Sequence, residues 1–300
     1  MNFNKLVTRH MERYKRNNPE IKSYIPGIWK LNKKTNEFIT CEHILPIPSF
    51  KQIDAIKPNL LPIYRNLFLK SKLSKINYHK CSHYLNSSQI MCINFFFPFI
   101  HEHILEIILK ALGIALNSDE RIDYPGVCFE KQSSLDYNKH SKTATSFDLF
   151  IPICDMIGRH IRDIFFEIKY IENGFGKKNI NSHNIDLFNT VYKNYASAVL
   201  QYELCQPETF LENYQIARNL IHLGLDNGNY VIFVYPKGNA IIGKQGKLAK
   251  DSFLRKEYKN YLIVETWESL VKAVNEQPAL PDRLTQQIAL FCEKYLQIEN

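Results

Sequence analysis

Three hundred residues with 45% hydrophobic content suffice for one large α/β domain with an N-terminal extension, or for two modest domains, and need no staples to hold a core. The longest apolar run, Ile93 to Ile100, contains Pro98 and ends at His101, Glu102 and His103, well short of the roughly 20 residues that span a bilayer, so no membrane helix is expected. The N-terminal MNFNKLVTRHMERYKR has no small-residue cleavage site behind an apolar stretch, and the seven cysteines are odd in number and widely spaced. A cytoplasmic protein with free thiols and no disulfides is expected.

The net charge of +8 is concentrated at the front: residues 1–80 hold 16 Lys and Arg against 5 Asp and Glu, and the remaining 220 carry a net −3. A polyanion is the simplest partner for such an asymmetry, because neutralising phosphates releases condensed counterions. Lys-rich surfaces also arise from Lys-, Asn- and Ile-rich codon usage, so charge by itself does not select between the two readings.

In chain order, Phe3 to Arg16 is amphipathic, and the rest of residues 1–80 is irregular and proline-punctuated, predicting a basic loop-rich arm ahead of a domain at 81–300. Asn86, Ser87 and Ser88 offer N-cap oxygens to QIMCINFFF, Pro98 is expected to break that helix, and HEHILEIILKALGI predicts a second one to about Ile114. Beyond the turn DYPG, residues 127–131, 146–154 and 163–170 read as a three-stranded meander. Helical stretches over 185–204 and 208–223, a buried strand YVIFVYP, a strand YLIVET capped by the helix WESLVKAV, and an amphipathic helix over 281–297 complete the order. The pattern implies an α/β fold with one central mixed sheet flanked by helices.

In SFDLFIPIC the residues Phe147, Leu149, Ile151 and Ile153 alternate onto one face, which puts Asp148 and Phe150 on the other. In IFFEIKY the set Ile164, Phe166 and Ile168 leaves Glu167 and Lys169 together on the opposite face. A hairpin turning between Ile157 and Gly158 pairs residues whose numbers sum to 315, which sets Asp148 directly across from Glu167. Opposed residues have Cβ atoms roughly 4.5–5.5 Å apart, a spacing at which two carboxylates repel unless they share a cation. With the Ile168 carbonyl they supply hard oxygen ligands for Mg²⁺, which polarises a phosphate. Lys169 can orient or deprotonate the attacking water and stabilise developing charge.

The D of SFDLFI with the ExK of FEIKY resembles the PD-(D/E)xK signature of restriction endonucleases, Holliday-junction resolvases and RecB-type nucleases, with Phe147 in place of the usual proline. The strings NSSQIMCINFFFPF, FEIKYIE and NYQIARNL are also similar to a group of restriction-endonuclease-like bacterial proteins, so the resemblance covers about Asn86 to Val271. It implies a core of helix, three-stranded meander, helix and strand, with Mg²⁺ (Mn²⁺ able to substitute) at Asp148 and Glu167. It also implies double-stranded DNA as substrate, Glu130 as a further acid in preference to Glu106, and Gln215 as a polar helper near the phosphate. Glu130 as surface charge, and Gln215 as a buried hydrogen-bonding side chain, remain open alternatives.

Other motifs point elsewhere. His79, Cys81 and His83 with Cys41 and His43 lack the spacing of a zinc knuckle, and GFGKK lacks the ending of a phosphate loop. The function expected is Mg²⁺-dependent hydrolysis of DNA in a restriction-like or defensive role. The alternatives are a repair or recombination nuclease, or a non-catalytic nucleic-acid-binding protein on the same scaffold. A homodimer suits simultaneous cleavage of both strands.

Overall fold

A computed structural model describes residues 2–47, 52–133, 135, 146–278 and 280–298. In chain order these form α1 (Phe3–Asn17), β1 (Gly27–Asn32), β2 (Glu37–Cys41), α2 (Gln52–Ile56), α3 (Pro62–Lys70), α4 (Ser88–His101) and α5 (Glu106–Ala111). Strands β3 (Glu120–Ile122), β4 (Cys128–Gln132), β5 (Ser146–Asp155) and β6 (His160–Ile168) follow, then α6 (Ser182–Leu187), α7 (Lys193–Val199), α8 (Pro207–Glu212) and α9 (Tyr214–Leu220). Strand β7 (Tyr230–Tyr235), α10 (Ala240–Leu248), β8 (Leu262–Thr266), α11 (Trp267–Asn275) and α12 (Asp282–Tyr295) complete the order. The chain divides into two compact units, residues 1–104 with 271–300, and residues 105–270. Among the described residues no helix is long and apolar enough to cross a membrane, and no cysteine takes part in a disulfide.

The first unit contains more regular structure than the irregular sequence of residues 1–80 suggests. Asn2 caps α1 by accepting from the Asn4 N–H at 3.1 Å, and Val7 and Met11, one turn apart, bury one side of that helix. Helix α4 begins as expected, with the Ser87 side chain accepting from Ile90 N. Pro98 does not break it. A proline orphans the carbonyl four residues back, here that of Asn94, and the Gln287 amide of α12 donates to this oxygen at 3.0 Å. The helix therefore runs to His101, and a left-handed His103 (φ 56°) ends the turn, which confines the next helix to residues 106–111. The Phe95 and Phe291 rings, 5.0 Å apart, pack α4 on α12, each buried aromatic adding about 1.5–3 kcal/mol.

The second unit holds a six-stranded mixed sheet of order β3-β5-β6-β7-β8, with β4 also paired to β5. Strands β3 to β6 pair antiparallel, whereas β6–β7 and β7–β8 are parallel and reached through the helical connections α6–α9 and α10. This is the expected α/β class, with a mixed sheet flanked by helices.

The register of β5 on β6 has the expected sum of 315, from Leu149↔Phe166 through Ile153↔Arg162. It arises differently from the symmetric turn assumed. Asp155 N bonds Arg159 O, so the turn centres on Ile157, and a bulge at Ile161 then advances β6 by one residue.

Both faces of the sheet are buried, not one. Phe150, Phe165, Val231 and Phe233 join α7, α8 and α9 in a single apolar cluster, and Leu149, Ile151, Ile164 and Phe166 fill the opposite face. Phe147, expected beside Leu149, instead packs its ring 4.7 Å from Phe165 and 4.8 Å from His222. It pairs with Lys131, immediately after the left-handed Glu130, where the β4 ladder departs from a regular pleat.

Candidate functional site

Three carboxylates line up across three neighbouring strands. Strand β4 pairs with β5 through Phe129↔Leu149 and Lys131↔Phe147, which leaves Glu130 opposite Asp148. The β5–β6 register places Glu167 opposite Asp148 on the other side. Glu130 adopts φ 54°, a backbone region that costs a residue with a Cβ about 1–2 kcal/mol. Such strain persists where the surroundings over-determine it; here the Glu130 Oε2 accepts from the Ser146 hydroxyl at 2.8 Å.

Asp148 is partly exposed, whereas Glu167 and Lys169 are buried. The backbone N–H of Ile168 donates to Asp148 Oδ2 at 2.6 Å. Burial, then the charges of Glu167 and Glu130, push the Asp148 carboxyl well above the usual carboxylate range, and the Ile168 hydrogen bond and Lys169 offset only part of this. Glu106 lies outside this set, accepting from the Tyr124 hydroxyl at 2.7 Å.

Glu167 is anchored from helix α9. Gln215 Nε2 donates to its Oε1 at 2.7 Å and Asn219 Nδ2 to its Oε2 at 3.0 Å. Residues four apart share a helix face, so one turn of α9 supplies both donors. The Lys169 ammonium sits 2.8 Å from Glu167 Oε1 and also donates to Gln215 Oε1 at 3.2 Å. Burial pulls this ammonium down, but Glu167, Glu172 and Asp148 together outweigh it and leave the lysine raised.

Gln215 is fixed in turn by the loop ahead of α6, since Gly176 N donates to its Oε1 at 2.8 Å and its own N–H returns a bond to Gly176 O at 2.9 Å. The Phe175 ring lies 5.2 Å from the Lys169 ammonium. The GFGKK segment thus clamps the polar residues of this site.

Asp148, Glu167, Lys169, Glu130 and Gln215 therefore come together, and Asn219 joins them without having been singled out from the sequence. Its signal was the i, i+4 spacing from Gln215 in YQIARNL. Among the described residues the sole His, Cys, Asp and Glu trio with ligand atoms within 4.8 Å of one another is His160, Asp163 and Asp226, at the turn end of β6. Glu130, Asp148 and Glu167 are consequently splayed wider than that, as mutually repelling carboxylates should be, and the cysteine and histidine pairs upstream form no such cluster.

The oxygen-only donor set suits a hard divalent cation: carboxylates from adjacent strands, with the β6 main chain running between them and an ammonium at one side. A family model described as Restriction Endonuclease associating with ARP matches residues 12–296. No curated protein and no solved structure matches the chain.

Proposed function

Because the chain belongs to the family described as restriction endonuclease associating with ARP, we propose that it is a divalent-metal-dependent endonuclease that hydrolyses DNA phosphodiesters in a restriction-like or defensive role. The observation that carries the reading is the row Glu130, Asp148 and Glu167 in register across β4, β5 and β6, with the Lys169 ammonium on Glu167.

Asp148, Glu167 and the Ile168 carbonyl would hold the cation, Mg²⁺ in the cell with Mn²⁺ as substitute, and Glu130 would complete the acidic set. Bound there, the metal would polarise the scissile phosphate and acidify a water. The chain's own residues do the rest. Lys169, with its ammonium against Glu167, stabilises developing charge and orients the attacking water. Gln215 and Asn219 hold the Glu167 carboxylate in one orientation, and the Gly176 loop holds Gln215.

Purified protein with Mg²⁺ or Mn²⁺ is expected to cut at least one of supercoiled, linear, methylated or branched DNA, and Asp148→Ala, Glu167→Ala and Lys169→Ala are each expected to abolish cleavage. The proposal is refuted if every substrate stays intact, or if Asp148→Ala cuts as fast as the parent.

A further inference from the structure

Strands β1 and β2 form a two-stranded sheet of their own. Such a ribbon is marginal in water unless something covers it, yet Ile28, Trp29, Leu31 and Phe38 are 52%, 51%, 44% and 64% exposed. The register explains how both faces are displayed. Leu31 stands opposite Phe38, while Trp29 is the extra residue between the pairs Ile28↔Thr40 and Lys30↔Ile39, so the bulge turns its indole to the lysine side. The Lys30 ammonium lies 4.0 Å from the Trp29 ring centroid. At the tip Asn36 N bonds Asn32 O at 2.8 Å with Asn36 at φ 58°, and this turn presents Lys33 and Lys34 to solvent.

Charge identifies the occupant. Residues 21–41 contain four lysines, Lys22, Lys30, Lys33 and Lys34, all exposed, against the single acid Glu37. Protein–protein interface cores are depleted of lysine, whereas DNA interfaces are strongly positive. A two-stranded ribbon also has the cross-section that the major groove admits.

We propose that the β1–β2 ribbon grips duplex DNA through its lysine face, with Lys30, Lys33 and Lys34 on phosphates and the Trp29 ring beside them. This rests on the reading of the protein as a DNA nuclease and assigns the ribbon the binding of substrate, separate from the carboxylate centre.

The test uses the full chain, a 30-base-pair fluorescent duplex and EDTA to prevent cleavage. Lys33→Ala/Lys34→Ala is expected to weaken binding at least tenfold and to reduce the slope of log K against log salt by roughly 2, about one for each phosphate no longer neutralised. In the cleavage reaction the same variant is expected to raise KM while keeping kcat at saturating DNA. Trp29 and Trp267 are the only tryptophans, and Trp267 is fully buried. Saturating duplex should therefore quench or shift emission from Trp29, and Trp29→Phe should remove that signal. The inference is overturned if DNA is bound and cut normally while the double variant keeps parental affinity and salt slope. It is also overturned if the ribbon variants change only the sedimentation coefficient, which would make the surface a contact between copies. A chain that neither binds nor cuts any duplex overturns this inference and the nuclease reading together.

Discussion

The row of carboxylates predicts a trade between stability and activity. In metal-free protein Asp148 faces Glu130 and Glu167 across adjacent strands, and at roughly 6 Å with an effective dielectric near 20 each such pair costs about 3 kcal/mol when both members are ionised. Lys169 cancels part of this and protonation of Asp148 limits it, so Asp148→Asn is expected to stabilise the metal-free protein by about 1–2 kcal/mol at pH 8. An asparagine oxygen can still accept from Ile168 N, so that hydrogen bond is retained. The sign with pH follows from the raised carboxyl. Between its unfolded and folded pKa the native state binds more protons, so parental stability falls as pH rises through that window, and the Asn variant lacks this slope. Urea unfolding in EDTA from pH 4 to 8.5 should show two proteins of similar stability at the acidic end that diverge in favour of the variant as pH rises. Saturating Mg²⁺ should restore the parent, by about 2.7 kcal/mol at a hundred times Kd, and leave the variant unchanged. Equal stability at pH 8, or a variant weaker than its parent there, would refute the repulsion argument.

Three further outcomes are expected. Lys169→Met removes the cation that competes for Glu167, so Mn²⁺ affinity by calorimetry should hold or rise while cleavage falls by about 10²–10³-fold; weaker metal binding would contradict this. Asn219→Ala takes one donor from Glu167 and should lower Mn²⁺ affinity by about 10–100-fold, the usual effect of a ligand-orienting partner; an unchanged titration would remove Asn219 from the site. Lys294 is fully buried, donating to the Asn59 carbonyl and side-chain oxygens at 2.6 Å, and burial holds its pKa well below the lysine range. The unfolded chain then binds the extra proton, so stability relative to Lys294→Met should increase with pH between the folded and unfolded values, by at most about 1.4 kcal/mol per pH unit. A flat difference from pH 7 to 10 would count against a neutral lysine.

Much of the second unit was legible because period-two patterning and a single turn determine which side chains oppose each other. The bulge at Ile161 was invisible, yet it compensated for a turn centred half a residue from the assumed position, so the pairing of Asp148 with Glu167 came out the same. Asn219 was readable in principle from its four-residue spacing to Gln215, whereas the left-handed Glu130 was not, since a glutamate carries no local signal for positive φ. The helix through Pro98 was missed for a non-local reason: its orphaned carbonyl is satisfied by Gln287, almost two hundred residues away. The regular structure within residues 1–80 was missed because short elements there alternate with prolines and lysines, and their apolar positions make sense only once a distant helix covers them.

That same bond between Gln287 and the Asn94 carbonyl bears on the order in which the polypeptide matures. Residues 105–270 are contiguous and can complete their sheet as they leave the ribosome, whereas the unit formed by residues 1–104 must wait for α12 to be translated. A released chain truncated at residue 270 would thus hold a finished sheet together with a first unit lacking α12, and limited proteolysis of it should spare the former and digest the latter.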